Sequence, residues 1–347
     1  MKDGRYSNYK IAWDKEKLSD LENGRITFPR YVRIKPTNKC CHNCWFCVYD
    51  KNNSGMHETF NREDEMSRNQ LLSILLNLHY CSVGAITFSG GGEPLLHPDI
   101  CDALYFVKKF GIKYSVLTNG QYLSGTRADI LRDASWVRIS ADYYSKRSYK
   151  LSGRGDMFEQ TMDNIYLFSL NKSETCELSM NFIVTHQNCN KLYQAAEFWK
   201  DKGIETIRFS PVWIKRFSMY HAGVRPIAES QINIAKAMLE DDKFTIQSGY
   251  STQSVEAVRC YSRCYYQEVV PAIGADCNVY RCHNTAYSEH GLIGSLKDRS
   301  FMDMWNSEET ANKIKGYDAS VCAHQCANDR KNEFINELLS CKGDLFY

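Results

Sequence analysis

Short apolar, β-branched segments alternate with segments of helical periodicity from about residue 30 to residue 212. The predicted strands are Tyr31–Ile34, Ala85–Phe88, Tyr114–Leu117, Trp136–Ile139, Leu178–Val184 and Thr206–Phe209. The predicted helices are Ser67–His79, Pro98–Lys109, Thr126–Ala134, Met157–Leu170 and Lys191–Lys202. This alternation predicts βαβ units around a parallel sheet, either curved into a barrel or doubly wound.

The alternation stops after Pro211, and a length of 347 residues favours about two domains. We expect a lead segment at residues 1–29 and a sheet domain at 30–215. A connector at 216–259 would hold one helix, Ile227–Leu239, and a cysteine-rich domain would occupy 260–347. A polar helix is predicted from about Asn328 to the end of that domain.

Composition excludes several classes of protein. The chain has 43 Lys and Arg against 41 Asp and Glu, so its net charge of +2 argues against wholesale binding to nucleic acid or to an anionic membrane. No apolar run approaches the roughly 18 residues that a membrane span needs. The first residues hold no continuous apolar segment of the kind found in secretory signals. We therefore expect a cytoplasmic protein with no membrane partner.

Fifteen cysteines are the unusual feature of the composition. In a reducing compartment, dense cysteines are typical of metal binding or redox chemistry rather than of disulfides. Some of them are scattered and are expected to be small buried residues. The remainder form two groups, one near each end of the chain.

The first group is Cys40, Cys44 and Cys47, directly after the first predicted strand. Three thiolates on a short loop suit one face of an iron–sulfur cubane and leave one iron open for another ligand. The alternative set Cys41, Cys44 and Cys47 has the spacing that begins a ferredoxin run, but the fourth cysteine of such a run is missing here. A zinc site is the other alternative.

The stretch Cys40-x3-Cys44-x-Phe46-Cys47 resembles the signature of the radical S-adenosylmethionine (radical SAM) superfamily. A second stretch, Ser89–Pro94 after the second strand, resembles the Gly-Gly-Glu-Pro motif that holds the SAM amino group in this family. The members concerned are Gly91, Gly92, Glu93 and Pro94. The resemblance implies a partial (β/α)6 TIM-like barrel with its chemistry at the carboxyl ends of the strands.

Softer matches extend the resemblance to other SAM-binding positions. Thr118 and Asn119 resemble the family's Thr-Asn-Gly turn, although an ordinary turn has the same composition. Ser140 and Asp142 resemble the strand end that binds the SAM ribose, with helix capping as the alternative. Arg154 resembles an arginine that faces the SAM carboxylate, with a solvated surface arginine as the alternative.

The resemblance implies the family's chemistry. A [4Fe–4S] cluster on Cys40, Cys44 and Cys47 would chelate SAM, and one electron would cleave SAM to methionine and a 5′-deoxyadenosyl radical that takes a substrate hydrogen. A flavodoxin or ferredoxin type electron donor is the expected partner by the same analogy.

The second cysteine group begins at Cys260 and resembles the SPASM/Twitch extension of the superfamily, an α+β module that binds auxiliary [4Fe–4S] clusters. The resemblance implies one auxiliary cluster on Cys264, Cys282, Cys322 and Cys326. The spacing of the last pair departs from the usual one, so Cys260, Cys277 or His324 remain alternative ligands. A structural zinc site is the other alternative.

The reaction is less constrained than the cofactors. A cluster with four protein ligands favours electron acceptance, and therefore a two-electron oxidation (dehydrogenation) of the substrate. If Cys260 or Cys277 instead donates a hydrogen atom, the outcome is epimerisation. Only about 30 residues precede the first strand, too few for a peptide-recognition domain, so we expect a small molecule resembling a carbohydrate or an aminocyclitol. A maturase of a peptide or partner protein and a zinc or Fe–S nucleic-acid-binding module are the alternatives.

Overall fold

A computed structural model describes residues 7–250, 259–322 and 326–341. The strands are β1 (Tyr31–Ile34), β2 (Ala85–Phe88), β3 (Lys113–Thr118), β4 (Trp136–Ala141), β5 (Glu177–Val184), β6 (Thr206–Pro211), β7 (Thr245–Ser248), β8 (Ala272–Ile273), β9 (Asn278–Tyr280) and β10 (Leu292–Ser295). The helices are α1 (Lys15–Glu22), α2 (Arg68–Tyr80), α3 (Ile100–Lys109), α4 (Gly125–Leu131), α5 (Lys146–Leu151), α6 (Phe158–Asn171), α7 (Leu192–Asp201), α8 (Phe217–Leu239), α9 (Tyr266–Val269), α10 (Phe301–Trp305), α11 (Glu308–Lys315) and α12 (Asp329–Ser340).

The strands pair in the order β10-β9-β8-β1-β2-β3-β4-β5-β6-β7. Strands β1 to β7 follow one another in parallel, as the βαβ alternation predicts. Strand β8 adds to β1 in parallel, and β9 and β10 then run antiparallel. Because β1 pairs with β8 and not with β7, the parallel part is a barrel that stays open on one side. The prediction of a partial α/β barrel is confirmed.

Two elements within the predicted connector region differ from the prediction. Strand β7 pairs with β6 inside the segment that was expected to be a connector. Helix α8 begins at Phe217, ten residues before the predicted start, and contains Pro226 in its interior. Gly223 and Pro226 are ordinarily helix breakers, which is why the sequence indicates a shorter helix.

The two faces of the parallel strands differ in polarity. On β1, Val32 and Ile34 are buried in the main hydrophobic core, whereas Arg33 faces a cavity. On the cavity side, Tyr31 Oη and Ser115 Oγ each lie 2.7 Å from Thr87 Oγ1. The strands therefore pack apolar side chains against the helices and present polar ones to the inside of the barrel.

The carboxyl-terminal part packs on the first strands. Trp305 of α10 is buried in the main core and donates its Nε1–H to Thr27 O at 3.0 Å. His57 Nδ1 donates to Ala286 O at 2.6 Å, which ties the segment after the cysteine loop to the region of β9 and β10. Among the helices of the described residues, none combines the length and the apolar character that crossing a membrane requires.

Candidate active site

A cavity of about 1470 Å³ extends from the carboxyl ends of the parallel strands into the open barrel. Its walls include most of the residues that the sequence assigns to a SAM site: Cys40, Cys44, Cys47, Gly91, Gly92, Glu93, Thr118, Asn119, Ser140 and Arg154. Pro94 and Asp142 lie behind this lining. Pro94 is buried and starts a short 3-10 turn.

The cysteine loop is braced by the segment that follows it. The backbone N–H of Asn38 donates to Asp64 O at 2.9 Å, and its side-chain Nδ2 donates to Asn61 O at 2.8 Å. Arg62 Nη2 donates to the carbonyl oxygens of Cys40 at 3.2 Å and of His42 at 3.0 Å. These bonds hold the loop's backbone, so that its thiols are free to face a ligand.

The three thiols form no disulfide, and among the described residues no group of three or more His, Cys, Asp and Glu side chains is arranged to hold a metal ion. Cys44 interacts electrostatically with both Cys40 and Cys47. Burial raises the pKa of Cys44 to about 11 and also raises that of Cys47. A hydrogen bond from the Cys41 thiol lowers the pKa of Cys40 to about 6. A soft cation at this loop would stabilise all three thiolates, so the donor set fits an iron–sulfur cluster.

The side chain of Cys41 is not part of the cavity wall and contacts Asn119 instead. Its Sγ accepts a hydrogen bond from Asn119 Nδ2 at 3.3 Å, and its pKa is raised, first by its hydrogen bond to Cys40 and then by burial. Cys41 does not line the cavity, whereas Cys40 does. The geometry therefore favours Cys40 over Cys41 as the first member of the triplet.

The glycine stretch packs directly on the cysteine loop. A Cβ added to Gly92 would lie 2.0 Å from Lys39 O, and one added to Gly91 would lie 1.9 Å from Asn38 Oδ1. The two loops also share backbone hydrogen bonds, from Gly92 N to Thr37 O at 3.1 Å and from Glu93 N to Lys39 O at 2.9 Å. These glycines are therefore required for the contact between the two loops, in addition to any contact with a ligand.

The carboxylate of Glu93 already has partners on both oxygens. It accepts from Thr118 Oγ1 at 2.7 Å, from Asn119 N at 2.7 Å and from Leu95 N at 3.0 Å. Burial raises its pKa to about 7. Glu93 therefore holds the Thr118-Asn119 turn against the glycine stretch, and the role of that stretch in holding the SAM amino group stays a prediction.

Asp142 and Arg154 form a buried ion pair. Arg154 Nε donates to Asp142 Oδ1 at 3.0 Å, and Arg154 Nη1 lies 3.2 Å from His42 Nδ1. Arg154 is only 3% exposed and lines the cavity, so it is not a solvated surface residue. The carboxylate of Asp142 is committed to Arg154, and Ser145, not Asp142, caps the helix that follows. Ser140 reaches the cavity at the same strand end.

Two polar residues at the site, Lys35 and Ser89, were not among the predicted site residues. The buried Lys35 donates from Nζ to Tyr49 Oη at 2.6 Å and to Gly90 O at 2.9 Å, which links the two loops, and burial lowers its pKa to about 7. Ser89 is 4% exposed, lines the cavity and has no hydrogen-bond partner for its Oγ. An orphaned hydroxyl beside the glycine stretch fits a polar ligand such as SAM. Both residues lie just beyond strands, a position that marks active sites in barrels.

The thiols of the second cysteine group interact electrostatically with one another, without forming a ready-made metal site in the part of the chain that the structure describes. Cys264 interacts electrostatically with Cys282 and Cys322, and Cys326 interacts with Cys264 and Cys282. Burial raises the pKa of Cys264 to about 12 and that of Cys326 further. Burial makes Cys264, Cys322 and Cys326 costly to ionise in isolation, and a cluster whose irons would neutralise these thiolates fits such a set.

Hydrogen bonds to these sulfurs surround the second group. Asn332 Nδ2 donates to Cys264 Sγ at 3.5 Å, and Asn328 N donates to Cys326 Sγ at 3.4 Å. Tyr317 Oη lies 2.9 Å from Cys322 Sγ. Such donors suit sulfur that carries negative charge, as in a cluster.

The two leftover thiols lie away from the large cavity. Cys277 is buried and lines a separate cavity of about 270 Å³ with Asp64, Asp276 and Lys297. Cys260 is exposed, and neither thiol lines the cavity that contains Cys40. The structure thus does not bring the two suggested hydrogen-atom donors to the SAM site. His324 lies outside the described residues.

Comparison with known families covers both regions of the chain. The family model of the radical SAM superfamily matches residues 34–198, and the model of SPASM, an iron–sulfur cluster-binding domain, matches residues 264–328. The chain belongs to the radical SAM superfamily. Its cofactors are S-adenosylmethionine and [4Fe–4S] clusters.

Relatives of known name match part of this radical SAM protein. The GTP 3′,8-cyclase of Limosilactobacillus fermentum is 28% identical over 188 residues, which are 52% of this chain and 54% of that protein. The probable GTP 3′,8-cyclase of Methanocaldococcus jannaschii is 29% identical over 202 residues, 57% of this chain and 64% of that one. The chain thus matches between half and two thirds of the length of these relatives.

Solved structures show the same fold at low identity. Streptococcus suis SuiB bound to the precursor peptide SuiA has a TM-score of 0.65 and 17% identity, covering 88% of this chain and 71% of that one. The native anSMEcpe with bound AdoMet has a TM-score of 0.61 and 16% identity, covering 82% of each chain. These likenesses establish the radical SAM fold and leave the substrate open.

Proposed function

We propose that this radical SAM enzyme cleaves SAM reductively and oxidises a small molecule held in the barrel between its two cysteine sites. One observation carries the proposal. The cavity that is lined by Cys40, Cys44 and Cys47 is also lined by His283 and Asn328, which adjoin the cysteines of the second site. A ligand in this cavity would lie between the two groups of thiols.

Cys40, Cys44 and Cys47 would hold the cluster, which together with bound SAM would supply one-electron radical chemistry and hydrogen abstraction from the substrate. The residues of the chain hold the geometry. Arg154, fixed by Asp142, presents its guanidinium to the cavity and suits a carboxylate of the ligand. Lys35 links the cysteine loop to the glycine stretch, and Glu93 holds the Thr118-Asn119 turn against that stretch. Barrel walls and loops shield the reacting atoms from water.

The second cysteine site supports an oxidative outcome. Four cysteines leave no iron open for substrate, so the cluster there would accept an electron from the substrate radical rather than bind the substrate. The net reaction would be a dehydrogenation, for which a carbohydrate or aminocyclitol is a suitable substrate. A flavodoxin or ferredoxin type protein would supply the first electron.

A redox-neutral rearrangement or epimerisation is the second candidate. It is favoured by the relatives named GTP 3′,8-cyclase, since that name describes a cyclisation of a nucleotide. A peptide substrate is the third, because the similar structure of SuiB is bound to a precursor peptide. The cavity also brings charged side chains together, Arg33, Arg154 and Lys331 among them, which favours a compact polar molecule as the substrate.

Anaerobic turnover with a panel of substrates separates these outcomes. Cluster-reconstituted protein, SAM and reduced flavodoxin are incubated with aminocyclitols, sugar phosphates, nucleoside triphosphates or peptides, and the products are analysed by mass spectrometry. The proposal predicts 5′-deoxyadenosine together with a product lighter by two hydrogens. A product of unchanged mass would establish the redox-neutral reaction, and modification of peptides alone would overturn the small-molecule assignment.

A further inference from the structure

The charge of the cavity wall is strongly biased toward cations. Among the described residues that line it, nine are basic and four are acidic. The basic residues are Lys10, Arg33, Lys35, Lys113, Arg138, Arg154, Arg208, Lys236 and Lys331. The whole chain carries a charge of only +2, so this concentration of positive charge is local.

Most of the acidic residues in the wall are engaged elsewhere. Glu93 is bonded to Thr118 and to two backbone N–H groups. Asp14 pairs with Arg30 at 3.5 Å, and Asp133 pairs with Lys108 at 2.6 Å. Glu177, at the amino end of β5, is the fourth. The acidic groups therefore offer little neutralisation deeper in the cavity.

Three cations meet on the side of the cavity nearest the second cysteine site. Arg33 lies in the middle of β1, Arg208 in β6, and Lys331 in the first turn of α12. Burial and the positive charges of Arg33 and Arg208 lower the pKa of Lys331 to about 8. Like charges gathered in a partly buried space repel one another unless an anion is bound among them.

Two buried polar atoms in the same wall have no partner. Arg33 Nε is buried without a hydrogen bond. Asn328 is 3% exposed and lines the cavity, and its Nδ2 is also buried without a partner, while its Oδ1 accepts from Lys331 Nζ at 2.9 Å. Unsatisfied buried donors are rare in proteins and mark the position of a missing acceptor. Both orphaned atoms are donors, as an anion requires.

We propose that Arg33, Asn328 and Lys331 form an anion subsite that holds a phosphate or carboxylate group of the substrate beside the second cysteine site. This inference rests on the proposed function, since it names the chemical class of the molecule that the cavity binds. A guanidinium, an amide and an ammonium offer several donors in different directions, which suits the oxygens of such an oxyanion.

A competing explanation is that these cations only balance the charge of the auxiliary cluster. Arg33 interacts electrostatically with Cys282, and Lys331 with Cys326. On that explanation the side-chain Nδ2 of Asn328, whose backbone N–H donates to Cys326 Sγ at 3.4 Å, would donate to a sulfur of the cluster and not to a substrate anion. The two explanations predict different results when the charges are removed.

Calorimetric binding to the cluster-reconstituted full chain tests the subsite, with pyrophosphate as the phosphate probe and citrate as the carboxylate probe. We expect Lys331→Gln and Arg33→Gln each to weaken binding of the preferred probe about tenfold or more, since each removes a charge-assisted bond. Lys331→Arg should restore most of the affinity. Lys113→Gln is the matched control, because Lys113 lines the same cavity from an exposed position at the start of β3, and it should change the affinity less than about twofold.

Iron content and substrate-free SAM cleavage are measured on the same samples. Unchanged iron and SAM cleavage in Lys331→Gln, with weakened probe binding, supports the subsite. Loss of iron with unchanged probe affinity would assign the cations to the cluster and overturn the proposal, as would failure of the unmodified protein to bind either probe. If the probes bind as expected but SAM is not cleaved, the proposed function fails and the subsite stands.

Discussion

The two cysteine sites are built in different ways. The thiols of the first site, Cys40 to Cys47, come from one loop, whose backbone is held by hydrogen bonds to the following segment and to the glycine stretch. The thiols of the second site, between Cys264 and Cys326, come from separate segments of the carboxyl-terminal region. The polar groups that contact these sulfurs include the side chains of Asn332 and Tyr317.

This difference indicates which of the two sites depends on its metal for its structure. A loop braced by its own backbone keeps its shape when a ligand is removed. The thiols of the second site come from separate segments, and burial raises the pKa of Cys264, Cys322 and Cys326, so this region needs the metal to hold it together. We therefore expect the first site to control chemistry, and the second to control both chemistry and the stability of the carboxyl-terminal region.

The largest expected effect is on the first site. Replacing Cys40, Cys44 and Cys47 together by Ala should reduce SAM cleavage by the reduced protein to background, because no thiolate remains to hold the cluster that passes the electron. The assay measures 5′-deoxyadenosine from SAM and a chemical reductant. Cys41→Ala is the control and should keep most of the activity, whereas a loss equal to that of Cys40→Ala would assign Cys41 to the ligand set.

Removal of the second site should give a large but separable effect. Cys282→Ala with Cys326→Ala is expected to lower the iron content from about eight to about four per chain while substrate-free SAM cleavage persists. The same variant should unfold at a lower temperature, since buried thiols lose their metal. Cys101→Ala in α3 serves as the control. Full iron content in the double variant would show that other residues bind the metal.

A smaller effect is expected where the two loops of the first site touch. In Gly92→Ala the new methyl group would overlap Lys39 O, so the loops must separate, and we expect a loss of about 1–3 kcal/mol in the free energy of unfolding together with weaker SAM binding. Gly223→Ala in α8 is the matched control, because its Cβ would meet nothing within 4 Å. Helix propensity predicts that this change is neutral or slightly stabilising. Equal losses in the two variants would contradict the close packing of the loops.

The smallest effect concerns the link between the two regions. Burial lowers the pKa of His57 to about 4, so between about pH 6.5 and about pH 4 the unfolded chain binds more protons at this residue than the folded chain does. The stability that neutral His57 contributes is therefore lost as the pH falls through that window. The charged groups that act on His57 are Lys35, Glu58 and His290. Of these three, only the carboxylate of Glu58 favours protonation of the His57 ring.

Denaturant unfolding at about pH 7.5 and about pH 5.5, without oxygen, measures this effect. The unmodified protein should lose about 1 kcal/mol more stability over that interval than His57→Gln does. Equal pH dependence in the two proteins would mean that His57 titrates normally in the folded state.

The regular part of the fold was predictable because local pattern and final structure agree. Strands β1 and β2 have the predicted bounds, since β-branched residues lie between clear helix and turn signals. Strand β7 has four residues, Thr245–Ser248, with no such boundary. Strand β8 has only Ala272 and Ile273, and its pairing with β1 depends on tertiary packing that no local pattern encodes.

In the candidate site, too, contacts between sequence neighbours were predictable and contacts between distant residues were not. The triplet Cys40, Cys44 and Cys47 was recognisable because its members are neighbours along the chain. Glu93 accepts a hydrogen bond from Thr118, and Asp142 forms an ion pair with Arg154. Neither pair is related by the sequence motifs, so only the structure reveals these contacts. The cavity cations Arg33 and Lys331 lie almost 300 residues apart in sequence. No spacing rule would have associated them.

The central claim is that Cys40, Cys44 and Cys47 hold a [4Fe–4S] cluster with one iron open to SAM. Electron-nuclear double resonance on the reduced, oxygen-free protein tests it most directly, using SAM labelled with 15N in the amino group and 17O in the carboxylate. The account predicts hyperfine coupling of both labels to a cluster, present in Cys282→Ala/Cys326→Ala and absent in the triple Cys→Ala variant. A colourless protein with tetrahedral zinc at the loop, or a reduced cluster that couples to neither label, would contradict it.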